Sequence, residues 1–159
     1  MNLSGRTVSE IVEAITTEQL DQVRSLFRQY RAELPLQLCF RSFEVERLPG
    51  EYGPPQGKLL LALVSGQPAG CVGLRPFPQE ATREMKRLYV RPGFRGGKLG
   101  RELAGRVLHE ACALGYGRLR LDTHPPTMQA AVRMYRKLGF QEVSPAEPVE
   151  GLLYMELRL

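Results

Sequence analysis

The run Val90-Arg91-Pro92-Gly93-Phe94-Arg95-Gly96-Gly97-Lys98-Leu99-Gly100-Arg101 gathers the residue types that hold a phosphate chain. It reads as the end of a strand, a short basic and glycine-rich loop, and the first turn of a long helix. First-turn N–H groups have no intrahelical partners and carry the positive end of the helix dipole. Gly96, Gly97 and Gly100 let a ligand approach the backbone, and Arg95, Lys98 and Arg101 add mobile positive charge. The same pattern also describes a glycine-capped turn with solvated basic residues. Leu99 follows Gly97-Lys98, so the Gly-Lys-Ser/Thr ending of a P-loop is absent, as is a full Gly-x-Gly-x-x-Gly fingerprint.

The chain around this loop has 159 residues, 43% hydrophobic and 25% charged, which suits one globular domain over 1–159. A net charge of +5 favours an anionic partner. The cations are spread from Arg24 to Arg158 rather than gathered in a tail, which argues against nucleic acid. Cys39, Cys71 and Cys112 are odd in number and lack metal-type spacing, so they read as small core residues, with no zinc site. No apolar run approaches the ~18 residues of a membrane span, and no secretory h-region opens the chain. The expected location is cytoplasmic, away from any membrane.

The elements that must position the loop follow from periodicity. A strand is predicted within 6–15, then a helix capped in the run Thr16-Thr17-Glu18, with Leu20, Val23, Leu26, Phe27 and Tyr30 on its apolar face to about Leu34. A shorter helix is predicted over 36–48 and a loop over 49–57. The apolar run 59–64 and the segment 71–74 form a hairpin. The strand 84–90 enters the basic loop, and alternation puts Glu84, Lys86, Leu88 and Val90 on one face. The helix after the loop runs to about Leu114, before Gly115. A strand over 118–123, a helix capped by Thr127 and ended by Gly139, and strands over 140–143 and 152–159 complete the chain. This pattern predicts an α/β domain with a mixed sheet.

Leu88-Tyr89-Val90-x-Pro92-x-x-Arg95-Gly96-Gly97-Lys98-Leu99-Gly100 resembles the acetyl-CoA signature of the GNAT superfamily of N-acetyltransferases. Ala131-x-x-x-Tyr135-x-Lys137-x-Gly139-Phe140 resembles its second signature, with Leu114-Gly115-Tyr116 and Leu119-Arg120-Leu121-Asp122 fitting between. The resemblance runs from about Leu59 to Val143. It implies a mixed, mostly antiparallel central sheet of about seven strands flanked by about four helices. It further implies transfer of an acetyl group from acetyl-CoA to a primary amine, on a small molecule or a peptide or protein, by direct attack in a ternary complex. A homodimer through the C-terminal strands is implied too. A binding or sensor module with little turnover is the alternative.

By the same resemblance, Leu88, Tyr89 and Val90 pair with the pantetheine arm, and the amides from Arg95 through Gly96, Gly97, Lys98 and Leu99 to Gly100, with Arg101, hold the pyrophosphate. Tyr135 matches the general acid, and Glu84 either the general base or a residue that only positions the acceptor, with His124 as second choice for the base. No metal is implied. Two positions depart from the family pattern. Lys98 stands where the loop usually has its first small residue, and Met128 where many members carry Asn, so that the Asn hydrogen bond is either absent or supplied by Gln129. Glu33, Glu44, Glu46, Glu51 and Glu80 lie in segments that could border the acceptor pocket. They fit a cationic acceptor or plain solvated surface equally.

Overall fold

The computed structural model describes residues 9–35, 40 and 42–159. Seven strands form one sheet: β1 (Ser9–Glu13), β2 (Lys58–Val64), β3 (Gln67–Pro76), β4 (Thr82–Val90), β5 (Arg118–Thr123), β6 (Gln141–Glu142) and β7 (Leu153–Arg158). Four α-helices are present among the described residues: α1 (Thr17–Glu33), α2 (Ser42–Glu46), α3 (Leu99–Ala113) and α4 (Gln129–Lys137). The sheet order is β1-β2-β3-β4-β5-β7-β6, and every neighbouring pair is antiparallel except β4 with β5. The mixed, mostly antiparallel sheet implied by the two signatures is therefore present.

Local chemistry explains the helix ends. Thr16 Oγ1 accepts from the Gln19 N–H at 3.2 Å while Gln19 Oε1 accepts from the Thr16 N–H at 3.1 Å, a reciprocal capping box that starts α1. Gly115 takes a positive φ of 84° and its N–H reaches Cys112 O at 3.0 Å, closing α3. Gly139 (φ 101°) does the same after α4. The cap expected of Thr127 is not made. Met128 is the N-cap residue of α4, without a side-chain cap, and Thr127 Oγ1 instead lies 2.8 Å from His124 Nδ1.

Two cores sandwich the sheet. Leu60, Val72, Leu74, Met85, Leu119, Leu121 and Met155 pack beneath Leu103, Val107 and Ala111 of α3 and Tyr135 of α4. On the opposite face Leu59, Leu61, Cys71 and Tyr89 meet Val23, Leu26 and Phe27 of α1, with Val45 and Tyr52. Phe27 holds this second core through edge contacts to Phe40 and Tyr52, at 5.4 and 6.1 Å between centroids. Cys71 is buried as expected, whereas Cys112 is exposed on α3; Cys39 lies outside the described residues. Of the helix expected over 36–48, Ser42–Glu46 is helical, a 3₁₀ turn at Gly50–Tyr52 follows, and positions 36–39 and 41 lie outside the described residues.

The strand entering the loop departs from simple alternation. Cys71 pairs with Tyr89 but Gly73 with Lys86, so β4 carries one residue more than β3 between these pairs. The bulge centres on Arg87, whose φ is +61°. Before it, Met85 faces the α3 core; after it, Leu88 and Val90 do. Glu84 and Lys86 therefore lie on the opposite face from Leu88 and Val90, correcting the single-face expectation.

Gly73 permits the second core to close, because a Cβ there would stand 2.5 Å from the Tyr52 ring. Gly105, in the middle of α3, meets nothing within 4 Å. Gly73→Ala is expected to destabilise the fold by about 1–3 kcal/mol and lower Tm by several degrees. Gly105→Ala is expected to raise stability by up to about 1 kcal/mol. Thermal denaturation of the two variants checks both signs.

Candidate active site

β4 and β5 pair only at Thr82↔Arg118, Arg83↔Leu119 and Glu84↔Arg120. Beyond these positions β4 runs on to Val90 and β5 to Thr123, and the strands part. Each is held on its far side, β4 by β3 and β5 by β7 along its whole length. The gap opens into a cleft of about 950 Å³. Backbone polar groups facing the gap lack the ladder partners they have further back, which suits an extended ligand that pairs as a strand would.

The cleft collects most of the residues singled out from the sequence. Leu88, Tyr89 and Val90 line one wall, Arg95, Gly96, Gly97, Leu99, Gly100 and Arg101 the loop end, and Tyr135 the α4 wall. The α3 N-terminus has no side-chain cap, so its first N–H groups stay available. A Cβ placed on Gly96 or Gly97 would meet nothing within 4 Å, which leaves the approach to their backbone open. Arg133 and Lys137 of α4 add cations to those of the loop. Uncapped amides, open glycines and convergent cations fit a polyphosphate, and the strand gap fits a narrow polar arm.

Lys98 is exposed and does not contribute to the cleft lining, which removes the difficulty of its size at that position. Arg95 is already engaged: Nε donates to Val90 O at 2.8 Å, Nη2 pairs with Glu33 Oε2 at 2.8 Å, and the guanidinium lies 5.5 Å from the Tyr89 ring centroid. The Tyr89 side chain turns away from the α3 core and stacks on Tyr30, 5.0 Å between centroids and 19° between planes.

Tyr135 is 6% exposed and sits edge-on to Phe140 at 5.7 Å. Burial raises its phenol well above the ordinary range, and the charge of Asp122 acts in the same direction, so the hydroxyl stays protonated. Met128 also lines the cleft, and its sulfur accepts from Thr123 Oγ1 at 3.3 Å. Gln129 is exposed and outside the lining, so it does not stand in for the Asn.

Glu84 is not brought to the cleft. Its Oε1 accepts from Arg75 Nε at 2.8 Å, and Arg75 also faces Glu51 at 3.5 Å and Glu44 at 3.7 Å. His124 is likewise outside the lining. Besides Arg133 and Lys137, charged groups given no role from the sequence also line it: Lys86, Arg87 and Asp122. Arg87 is held bidentate by Glu44 at 2.8 and 3.2 Å and lies 4.1 Å from the Phe40 ring centroid. Asp122 had been in view within its strand motif, but nothing in one dimension places it across from Lys86.

The model of the Acetyltransferase (GNAT) family matches residues 20–140, a span that contains both signatures and the whole cleft. The chain belongs to the GNAT family. An uncharacterized N-acetyltransferase of Schizosaccharomyces pombe is 37% identical over 147 residues, covering 89% of this chain and 90% of that protein. A GNAT acetyltransferase from Staphylococcus aureus Mu50 shares the fold with a TM-score of 0.78 at 16% identity, covering 95% of this chain and 99% of the other. The PaiA N-acetyltransferase of Thermoplasma acidophilum, solved in complex with coenzyme A, shares it with a TM-score of 0.75 at 19% identity, over 96% and 99%. This GNAT protein is thus an acyltransferase with acetyl-CoA as its co-substrate. No helix among the described residues is long and apolar enough to cross a membrane.

Burial and neighbouring charge also raise the phenols of Tyr30 and Tyr89 to about 12, and burial raises those of Tyr52 and Tyr135. An unfolded tyrosine titrates at its ordinary 10.0, so above that pH the unfolded state loses protons that the folded state keeps. The stability these phenols contribute is complete below pH 10 and is lost as pH rises through about 12. Urea unfolding between about pH 8 and pH 11 should show unfolding free energy falling at the alkaline end.

Proposed function

We propose that this enzyme moves the acetyl group of acetyl-CoA to a primary amine by direct attack in a ternary complex. The observation that supports the reading is that Tyr135 lines the same cleft as the unpaired length of β4. The amides from Arg95 to Gly100, with Arg101, receive the pyrophosphate at the uncapped start of α3. Leu88, Tyr89 and Val90 receive the pantetheine arm along their backbone. A β4 N–H near Val90 then faces the thioester oxygen, and donors of this kind are typically worth ~3–4 kcal/mol to the developing charge.

Tyr135 gives its proton to the departing thiolate. A raised phenol is a weak acid, but the same burial that raises it makes a thiolate in the cleft a stronger base. The acceptor ammonium must lose a proton to a group that reaches the cleft. Glu84 is held by Arg75 away from it, so no direct role as base is given to it.

Tyr135→Phe should lower kcat by about 10²-fold or more while the acetyl-CoA Kd, read by calorimetry, stays within about twofold. An unchanged rate removes Tyr135 as the acid, and a chain that binds acetyl-CoA but transfers to no amine is a sensor module. Gly97→Val should leave stability within about 0.5 kcal/mol and weaken acetyl-CoA binding about tenfold or more, since its side chain fills the open approach to the loop. The homodimer is proposed through the C-terminal side of the sheet, where β6, a two-residue strand, forms the edge. Light scattering should give twice the 17.9 kDa chain mass.

A further inference from the structure

On the α1 side of the cleft, four charged groups line the walls: Glu33, Lys86, Arg87 and Asp122. Glu33 is occupied by Arg95 and Arg87 by Glu44. Lys86 and Asp122 are paired with each other, Nζ to Oδ2 at 2.9 Å, and with no other charge among the described residues. Lys86 lies two residues beyond Glu84 on β4 and Asp122 two beyond Arg120 on β5, so their ion pair bridges the strands just past the last rung of the ladder. The register of the ladder alone sets Lys86 opposite Asp122 on the face away from the α3 core, and the bulge then keeps Arg87 on that same face. Asp122 lines the same cleft as Tyr135 and Tyr30.

These two side chains are only 14% and 21% exposed, so separating them without replacement leaves two poorly solvated charges. A purely cationic acceptor seated on Asp122 would strand Lys86 next to Arg87. An acceptor with one charge of each sign replaces the pair with two new ones. We propose that the acceptor is an amine carrying its own carboxylate, of the free amino-acid class, whose ammonium takes Lys86's place on Asp122 while Lys86 takes its carboxylate. The proposal rests on the acetyltransferase reading above and names its substrate class. It sets aside the cationic acceptor suggested by the glutamates: Glu33, Glu44 and Glu51 are neutralised by arginines, and Glu46 and Glu80 lie outside the cleft.

The test measures thiol release from acetyl-CoA with the free amino acids, their carboxamides and the amines left on decarboxylation. The expected result is at least one amino acid used with a kcat/KM about tenfold or more above both of its analogues. In Lys86→Met that ratio should fall to within about twofold of unity, and Lys86→Arg should retain most of it. Asp122→Asn should lower kcat/KM for the preferred amino acid about tenfold or more with the acetyl-CoA Kd unchanged, which also shows that the variant is folded. Transfer to amines without any preference for the carboxylate, or a preference that survives Lys86→Met, overturns the proposal and leaves the acetyltransferase reading standing. Acetyl-CoA binding without transfer to any amine overturns both.

Discussion

The separation of β4 from β5 is the constraint on which the rest of the structure depends. Parallel pairing lasts three rungs and then stops, although both strands continue. The far edges are held by β3 and β7, so neither strand can swing across to close the gap. Two lengths of backbone are thereby left facing a cleft without their sheet partners. Buried polar backbone requires partners, and an extended, amide-bearing ligand provides them where another strand would. The loop and the α3 N-terminus continue the β4 wall directly, so a ligand paired in the gap meets uncapped amides at its end.

On the α1 side of this gap the charges stand in closed pairs, whereas the loop end and α4 gather cations of one sign. Glu44 holds Arg87 and accepts from the Tyr52 hydroxyl at 3.2 Å, tying α2 and the 3₁₀ turn to the bulge. Arg75 gathers Glu84 and Glu51 at the neighbouring position of β3. Glu33 at the end of α1 reaches the basic loop through Arg95, so the two ends of the cleft are joined across the stacked Tyr30 and Tyr89 rings. Partial burial makes the Lys86–Asp122 and Arg87–Glu44 pairs expensive to open without a substitute, which favours ligands that exchange charge for charge there. The net charge of +5 says little about this arrangement, because the balance is set locally.

Most elements were legible one residue at a time. The α1 capping box, the apolar stripe of α3, the glycine stops after α3 and α4 and the alternation of β7 each depend on neighbours within a few positions. The misses share a cause. The Arg87 bulge has no glycine to announce it, and it reversed which face Glu84 and Lys86 occupy. Thr127 is a good capping residue by type, but His124, fixed by the loop after β5, took its hydroxyl. Glu84 looked poised for acid–base work only while it shared a face with Leu88 and Val90.

The sequence by itself determined the order of elements, the basic glycine-rich loop and the tyrosine on the helix beyond it. These are written in local spacing and in backbone preference, which survive without knowledge of the fold. Only the tertiary structure decided which charged side chains share the cleft. Lys86 and Asp122 are far apart in the chain, and their contact follows from the pairing register of β4 with β5 and the early end of that ladder. The loop before α3 could thus be read directly. The charged pairs of the cleft could not, because they exist only once β4 and β5 lie side by side.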